Sequence, residues 1–134
     1  MKNVIIIFGY GIPKNILKDE NYNFYLKMIF NKIYDLSTKK SIDDNPIIIC
    51  SGGKTDIYKP YHRSEAEEMI KFFKAFTKKP YLKEITKKWN FVAEKTSLST
   101  LENFLNTKKI LNNRNINKAN IYIFCEETRK KRIK

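Results

Sequence analysis

A strand-like run that ends in glycines and precedes a capped helix constrains this chain more than any other stretch. Residues 47–49 are three consecutive Ile, a continuous β-branched run typical of a strand buried on both faces. Ser51, Gly52 and Gly53 follow, and adjacent glycines let the backbone turn sharply and approach a ligand closely. Ser64 opens an S-x-x-E capping box, which predicts a helix start. Such a unit predicts a ligand site at the carboxyl edge of a parallel sheet.

The same strand–loop–helix unit recurs along the 134 residues. Other strand-like runs cover residues 4–8, 90–93 and 120–124, and helical patterns cover residues 21–36, 64–76, 82–89 and 100–112. We therefore expect an α/β fold: a Rossmann-like three-layer sandwich with a mostly parallel sheet, strand order 3-2-1-4, and helices on both faces. The length predicts a single domain over residues 1–134.

Helical spacing predicts which faces of the helices are buried. The first helix should bury an aliphatic stripe widened by aromatic rings: Leu26, Ile29, Ile33 and Leu36 with Tyr22, Phe24, Tyr25 and Phe30. The last helix, over residues 100–112, should bury Leu101, Phe104, Leu105 and Leu111.

The charge balance admits two classes of ligand. Lys and Arg number 27 and Asp and Glu 14, so the net charge is 27 − 14 = +13. This balance favours nucleic acid or small anions as partners. Lys, Asn and Ile are frequent throughout the chain, so a general compositional bias explains the charge equally well.

Cysteine usage and apolar run lengths indicate a cytoplasmic protein without a membrane segment. The two cysteines form no C-x-x-C motif. If the strands before Cys50 and Cys125 flank one central strand, they lie about 9–10 Å apart, too far for a disulfide. The longest apolar run, residues 4–8, is too short to span a bilayer.

The loop after the first strand contains Gly9, Tyr10 and Gly11. This G-x-G has Lys14 where a dinucleotide fingerprint needs its third glycine, which argues against a nicotinamide site. The loop can still present backbone N–H groups to an anion. His62, the only His, lies in a polar loop, where an exposed and a functional role both stay open.

Five polar residues crowd the expected carboxyl end of the third strand. They are Glu94, Ser97, Thr100, Glu102 and Asn103, which is more than the second capping box, Ser99 with Glu102, requires. The carboxylates of Glu65, Glu94 and Glu102 can bind hydroxyls or amines, hold a divalent metal or act as a general base. For Glu65, interaction with the helix dipole is an equally good explanation. A metal site of Cys50, Cys125 and His62 has no ligand spacing to support it.

The ordered motifs resemble the SanA/YdcF-like family, a bacterial domain of unknown function. The matching pieces are Phe8-Gly9-Tyr10-Gly11, Ser51-Gly52-Gly53, Ser64-Glu65-Ala66 with Met69, Glu94-x-x-Ser97-x-x-Thr100-x-Glu102-Asn103, and the region from Cys125 to Arg132 that includes Glu127. Arg132 fits the family Arg, whereas Arg129 stands where the family has a His.

The resemblance covers nearly the whole chain and implies a Rossmann-like fold with these motifs in one cleft. It implies a single YdcF-like domain that lacks the family's last strand and helix. One family member binds S-adenosylmethionine, and others carry a membrane anchor that is not seen in this sequence. No agreed reaction comes with the family.

Two functions follow as hypotheses. The first is a site for a nucleotide-like or phosphorylated small molecule, with S-adenosylmethionine or a divalent metal as candidate cofactor and Arg129 and Arg132 clamping an anion. If the protein is an enzyme, hydrolysis or group transfer on a phosphorylated substrate fits better than redox chemistry. A Ser-His-Asp triad is not indicated, because His62 is the only His and no G-x-S-x-G elbow frames Ser51. The second is a non-catalytic basic domain that binds nucleic acid or another polyanion.

Overall fold

The computed structural model describes residues 2–9, 20–39, 45–53, 64–96, 100–114, 116 and 119–125. It describes the backbone but not the side chain at residues 2, 20, 21, 81, 84, 100 and 119. The described residues form a four-stranded sheet of β1 (Lys2–Phe8), β2 (Ile47–Ser51), β3 (Asn90–Glu94) and β4 (Ala119–Phe124). All neighbouring strands are parallel, in the order β3-β2-β1-β4. The predicted parallel sheet and its order 3-2-1-4 are confirmed.

The two central strands are apolar on both faces because helices cover both faces. Ile5 and Ile7 of β1 pack with helices α1 (Glu20–Thr38), α2 (Glu65–Thr77) and α3 (Pro80–Thr86). Val4 and Ile6 pack on the other face with α4 (Thr100–Asn113). The result is the expected three-layer, Rossmann-like arrangement.

Helix α1 buries most of its predicted stripe. Leu26, Ile29 and Ile33 are buried, as are the rings of Tyr22, Tyr25 and Phe30. The prediction is wrong for Phe24, which is 65% exposed. Phe24 precedes Leu26 by two residues, which places it about 200° around the helix from that buried side chain.

Helices α2 and α3 follow their start signals. The Ser64 Oγ accepts a hydrogen bond from the Glu67 backbone N–H at 3.2 Å, so Ser64 caps α2 and the predicted helix start is confirmed. Helix α3 begins at Pro80, two residues earlier than the pattern predicts, because proline is tolerated in the first helical turn, where its missing N–H has no intrahelical partner.

The predicted inward face of α4 is wrong at two positions. Leu101 and Leu105 are 67% and 50% exposed, whereas Asn103 and Thr107 are buried. Positions 103, 107 and 111 follow one another at intervals of four residues and share a face, and Leu101 and Leu105 lie roughly opposite. Helix α4 therefore turns polar side chains towards the sheet near its amino end and Leu111 further along.

Both edge strands are only partly buried. The prediction that the third strand is short and lies near an edge is confirmed by β3. On β4, Ile121 and Ile123 pair with Val4 and Ile6 of β1 and so share the α4 face. They remain 50% and 38% exposed, because α4 packs on β1, β2 and β3.

Candidate functional site

The carboxyl ends of three strands meet at one edge of the sheet, which we call the crest. Gly9 follows β1, Ser51 ends β2 and Glu94 ends β3. Beyond the strands, the Gly9 N–H donates to the Ser51 carbonyl at 3.0 Å, and the Gly52 N–H donates to the Glu94 carbonyl at 2.9 Å. These bonds extend the ladder by one residue. They also occupy two backbone donors that the sequence assigned to a ligand.

A buried polar cluster lies at the crest between β2, β3 and α4. The Ser51 hydroxyl lies 2.6 Å from Glu94 Oε2 and 2.9 Å from Asn103 Oδ1. All three side chains are buried. A hydroxyl has one proton to give, and the shorter contact, at 2.6 Å to the Glu94 carboxylate, receives it. The Asn103 amide is then turned so that its NH₂ donates to the Ser51 oxygen.

The second oxygen of Glu94 is held by the chain that follows β3. Glu94 Oε1 accepts from the Thr96 backbone N–H and from the Thr96 hydroxyl, each at 2.9 Å. Both carboxylate oxygens therefore have donors from the protein. These bonds offset the desolvation of a charged group in the interior.

A second buried carboxylate, that of Glu65, covers the ends of β1 and β2. The Tyr22 hydroxyl donates to Glu65 Oε2, and both side chains are buried. An added Cβ would contact Glu65 Cδ at 2.7 Å from Gly9 and Glu65 Cβ at 2.7 Å from Gly52. Neither glycine has a positive φ. They are needed here because Glu65 packs directly against the backbone.

The amino end of α2 makes most of its hydrogen bonds within the protein. The Glu65 N–H donates to the Gly53 carbonyl at 2.9 Å and the Ala66 N–H to the Gly52 carbonyl at 3.2 Å. The next donors, of Glu67 and Glu68, bond to the side chain and carbonyl of Ser64. The first turn of α2 is thus docked onto its own loop, and these four donors do not face an anion.

Two tyrosines that the sequence assigned to the core also belong to the crest. Tyr22 holds Glu65, and the Tyr25 hydroxyl donates to the Phe8 carbonyl at 2.7 Å and lies 3.3 Å from the Phe124 carbonyl. Thr96, the partner of Glu94, was also missed. For the two tyrosines the sequence contains a chemical signal: a Tyr on a predicted buried face, unlike a Phe, needs a hydrogen-bond partner for its hydroxyl.

The other residues that the sequence selected fall into two groups. Glu102 is exposed and lies outside the Ser51 cluster, whereas Gly53 and Ser64 are buried at the entry to α2. The remaining selected positions, with the side chain of Thr100, lie outside the described residues: Tyr10, Gly11, His62, Ser97, Glu127, Arg129 and Arg132.

A groove of about 540 Å³ runs between α1 and β4 and begins beside the crest at Tyr25, Phe124 and Cys125. Its lining is mainly apolar, with Lys32 and Asp35 further along α1. None of Ser51, Glu65, Glu94 or Asn103 lines it. The groove follows the open side of the edge strand and is separate from the polar cluster.

The Cys50 thiol is expected to be unreactive in the folded protein. It is fully buried, and burial raises its pKa far above the usual range, so the reactive thiolate does not form. Ellman's reagent at pH 8 should titrate the half-buried Cys125 first and Cys50 only after denaturant is added. In a Cys125→Ser variant the fast phase should vanish. Equal rates for both native thiols would contradict this prediction.

In the part of the chain that the structure describes, no three His, Cys, Asp or Glu side chains are placed to hold one metal ion. Within the same residues, no helix has the length and apolar content needed to cross a membrane.

Comparison of the chain with protein-family models, curated proteins and solved structures finds no match. The resemblance to the SanA/YdcF-like family therefore stays a prediction.

Proposed function

We propose that the crest binds a nucleotide-like or phosphorylated small molecule. The observation that carries this proposal is the meeting of four buried polar side chains at adjoining strand ends: Ser51, Glu65, Glu94 and Asn103. Open parallel sheets bind ligands at this edge. Polar groups are costly to bury, and a fold can place apolar side chains there at lower cost.

The chemistry of the described crest favours one part of such a ligand. The backbone donors of Gly9, Gly52 and the first turn of α2 are bonded within the protein, whereas Glu65 and Glu94 contribute acceptor oxygens. Hydroxyl or amino groups, as in a ribose or in S-adenosylmethionine, suit these oxygens better than a phosphate does. Contact with a phosphate would fall to Arg129 and Arg132, which lie outside the described residues.

Glu65 is our choice for direct contact with the ligand, because its side chain packs over Gly9 and Gly52, at the ends of both central strands. The oxygens of Glu94 accept from Ser51 and Thr96, which suits a positioning role. If the protein is a hydrolase or transferase, Glu65 is the candidate general base. A divalent metal would need further oxygens from the ligand or from elsewhere in the chain. We place the protein in the cytoplasm, where its two cysteines stay reduced.

The proposal predicts a ligand that stabilises the folded protein. In a thermal-shift panel of nucleotides, S-adenosylmethionine and divalent cations, one compound should raise Tm saturably. At a hundredfold excess over Kd the gain is about 2.7 kcal/mol, or roughly 10 °C for a domain of this size.

A matched pair of isosteric variants locates the binding. Glu65→Gln should lower the affinity for the stabilising compound by about tenfold or more, because the amide replaces one acceptor oxygen by a donor. Glu102→Gln makes the same change at an exposed carboxylate outside the cluster and should have no effect. A panel with no shift, or equal losses in both variants, would refute the proposal.

A further inference from the structure

Almost two fifths of the net charge is concentrated on one short segment. Residues 74–88 contain six Lys and one Glu, so this segment carries 6 − 1 = +5 of the chain's +13. All six lysines are exposed. We call them the α3 basic surface: Lys74, Lys78, Lys79, Lys83, Lys87 and Lys88. Lys71, one turn earlier, lies outside this segment and 3.6 Å from the Glu68 carboxylate.

The α3 basic surface lies at the opposite end of the sheet from the crest. Helix α2 starts against the Gly53 carbonyl and its 13 residues run back about 20 Å, roughly the length of the strands. After α3 the chain enters β3 at its amino end, where the Asn90 N–H donates to the Pro46 carbonyl at 3.1 Å. Variants of this surface therefore leave the crest untouched.

An aromatic groove opens on this surface. It holds about 330 Å³ and lies between α1 and the end of α2, with the rings of Phe30, Tyr34 and Phe76 in its lining and Lys27 and Lys79 beside them. Phe30 stacks on Tyr34 with ring centroids 6.4 Å apart and lies 5.1 Å from the Phe76 ring. The Lys79 ammonium lies 5.1 Å from the centre of the Phe76 ring. Tyr34 and Phe76 remain partly exposed.

We propose that the α3 basic surface binds single-stranded nucleic acid. Lysines that track phosphates beside rings that stack on bases are the usual means of holding a single strand. A duplex keeps its base faces covered, so it would use the lysines but not the groove. An anionic membrane fits less well, because the apolar side chains of this segment, Phe76, Leu82 and Ile85, pack against the core.

The first test measures salt-dependent binding of a labelled oligodeoxythymidylate of about 20 nucleotides by fluorescence anisotropy. A triple variant, Lys78→Gln with Lys83→Gln and Lys88→Gln, should bind about tenfold or more weakly. The slope of log Kd against log salt should fall by about 2, since each phosphate contact contributes about 0.7 on a single strand. The triple variant Lys32→Gln, Lys108→Gln and Lys109→Gln loses the same charge at exposed sites on α1 and α4 that do not line the aromatic groove and should retain most of the affinity.

The second test concerns the aromatic groove. Tyr34→Leu keeps an apolar side chain but removes the stacking ring, and it should weaken oligonucleotide binding about fivefold or more with an unchanged salt slope. Inorganic polyphosphate, which has phosphates but no bases, should bind more weakly than the oligonucleotide and be insensitive to Tyr34→Leu.

Three results would overturn the proposal. Equal losses of oligonucleotide affinity in the two triple Lys variants would show that binding depends on overall charge and not on this surface. Polyphosphate binding as tight as that of the oligonucleotide would leave the groove without a role. Binding to phosphatidylserine vesicles in the absence of oligonucleotide binding would identify a membrane surface. These variants do not alter the crest. The ligand-induced rise in Tm proposed for the crest and the oligonucleotide binding proposed for the α3 basic surface can therefore fail independently of each other.

Discussion

Replacing Glu94 by Ala is expected to lower the free energy of unfolding by about 3–4 kcal/mol. The substitution removes the acceptor for the Ser51 hydroxyl at 2.6 Å and for both the N–H and hydroxyl of Thr96 at 2.9 Å. Hydrogen bonds to charged groups contribute about 1.5–3 kcal/mol each; the buried Ser51 hydroxyl would lose its acceptor, whereas the exposed Thr96 donors can turn to water. Urea denaturation followed by the fluorescence of Trp89, the only Trp and buried, measures the change.

Two further variants separate hydrogen bonding from charge. Glu94→Gln should cost less than half as much as Glu94→Ala, because its oxygen can accept from Thr96 while its NH₂ donates to Ser51, whose hydroxyl then turns to Asn103. Glu102→Gln, at an exposed position and with a side chain that a capping box also accepts, should change stability by less than about 0.5 kcal/mol. If Glu94→Gln lowers the free energy of unfolding as much as Glu94→Ala, the negative charge itself is required. If Glu94→Ala lowers it by less than about 1 kcal/mol, the hydrogen bonds of Glu94 do not stabilise the fold.

The strands could be predicted because their signal is local. Residues 47–49 and residues 4–8 are continuous apolar runs, and burial on both faces leaves no alternation to misread. Ser64 marked the start of α2 for the same reason, since a cap and the backbone donor that it satisfies lie within one turn. These features make the parallel sheet the expected arrangement once helices alternate with strands.

Helix α4 shows where local patterns fail. A search for apolar periodicity selects Leu101 and Leu105, yet the helix packs through Asn103 and Thr107 at this end. The reason is tertiary: α4 begins beside the crest, where Asn103 contacts Ser51 at 2.9 Å. This hydrogen bond and the packing of the Phe104 ring on Phe8 decide the inward face of the first turns, and burial of Leu111 decides it further along.

The crest was only half predictable. Sequence reasoning selected Ser51 and Glu94, which end strands, and Glu65 and Asn103, which lie in the first turns of the helices that follow them. This placement brings all four to the same edge of the sheet. It assigned Gly9 and Gly52 to ligand approach, whereas their nearest neighbour is Glu65. Gly9 and Glu65 are far apart in the sequence, and no local pattern reports a contact between them.

Gly9→Ala is expected to destabilise the protein by about 1–3 kcal/mol, the usual cost of overpacking a filled site. The new methyl group would lie 2.7 Å from Glu65 Cδ, still closer to Glu65 Oε2, and 3.0 Å from the Tyr22 hydroxyl. Relief would require the carboxyl group to move and break its bond from Tyr22. Urea denaturation again measures the loss.

A double-mutant cycle identifies which atoms cause this loss, with Gly52 as the matched control. In a Glu65→Ala background the carboxyl group is gone, so Gly9→Ala should cost less there by about 1–2 kcal/mol. Gly52→Ala collides instead with Glu65 Cβ at 2.7 Å, an atom that Ala retains, so its cost should be nearly the same in both backgrounds. If both glycines respond alike to Glu65→Ala, the packing of the carboxyl group over Gly9 is not what requires a glycine at that position.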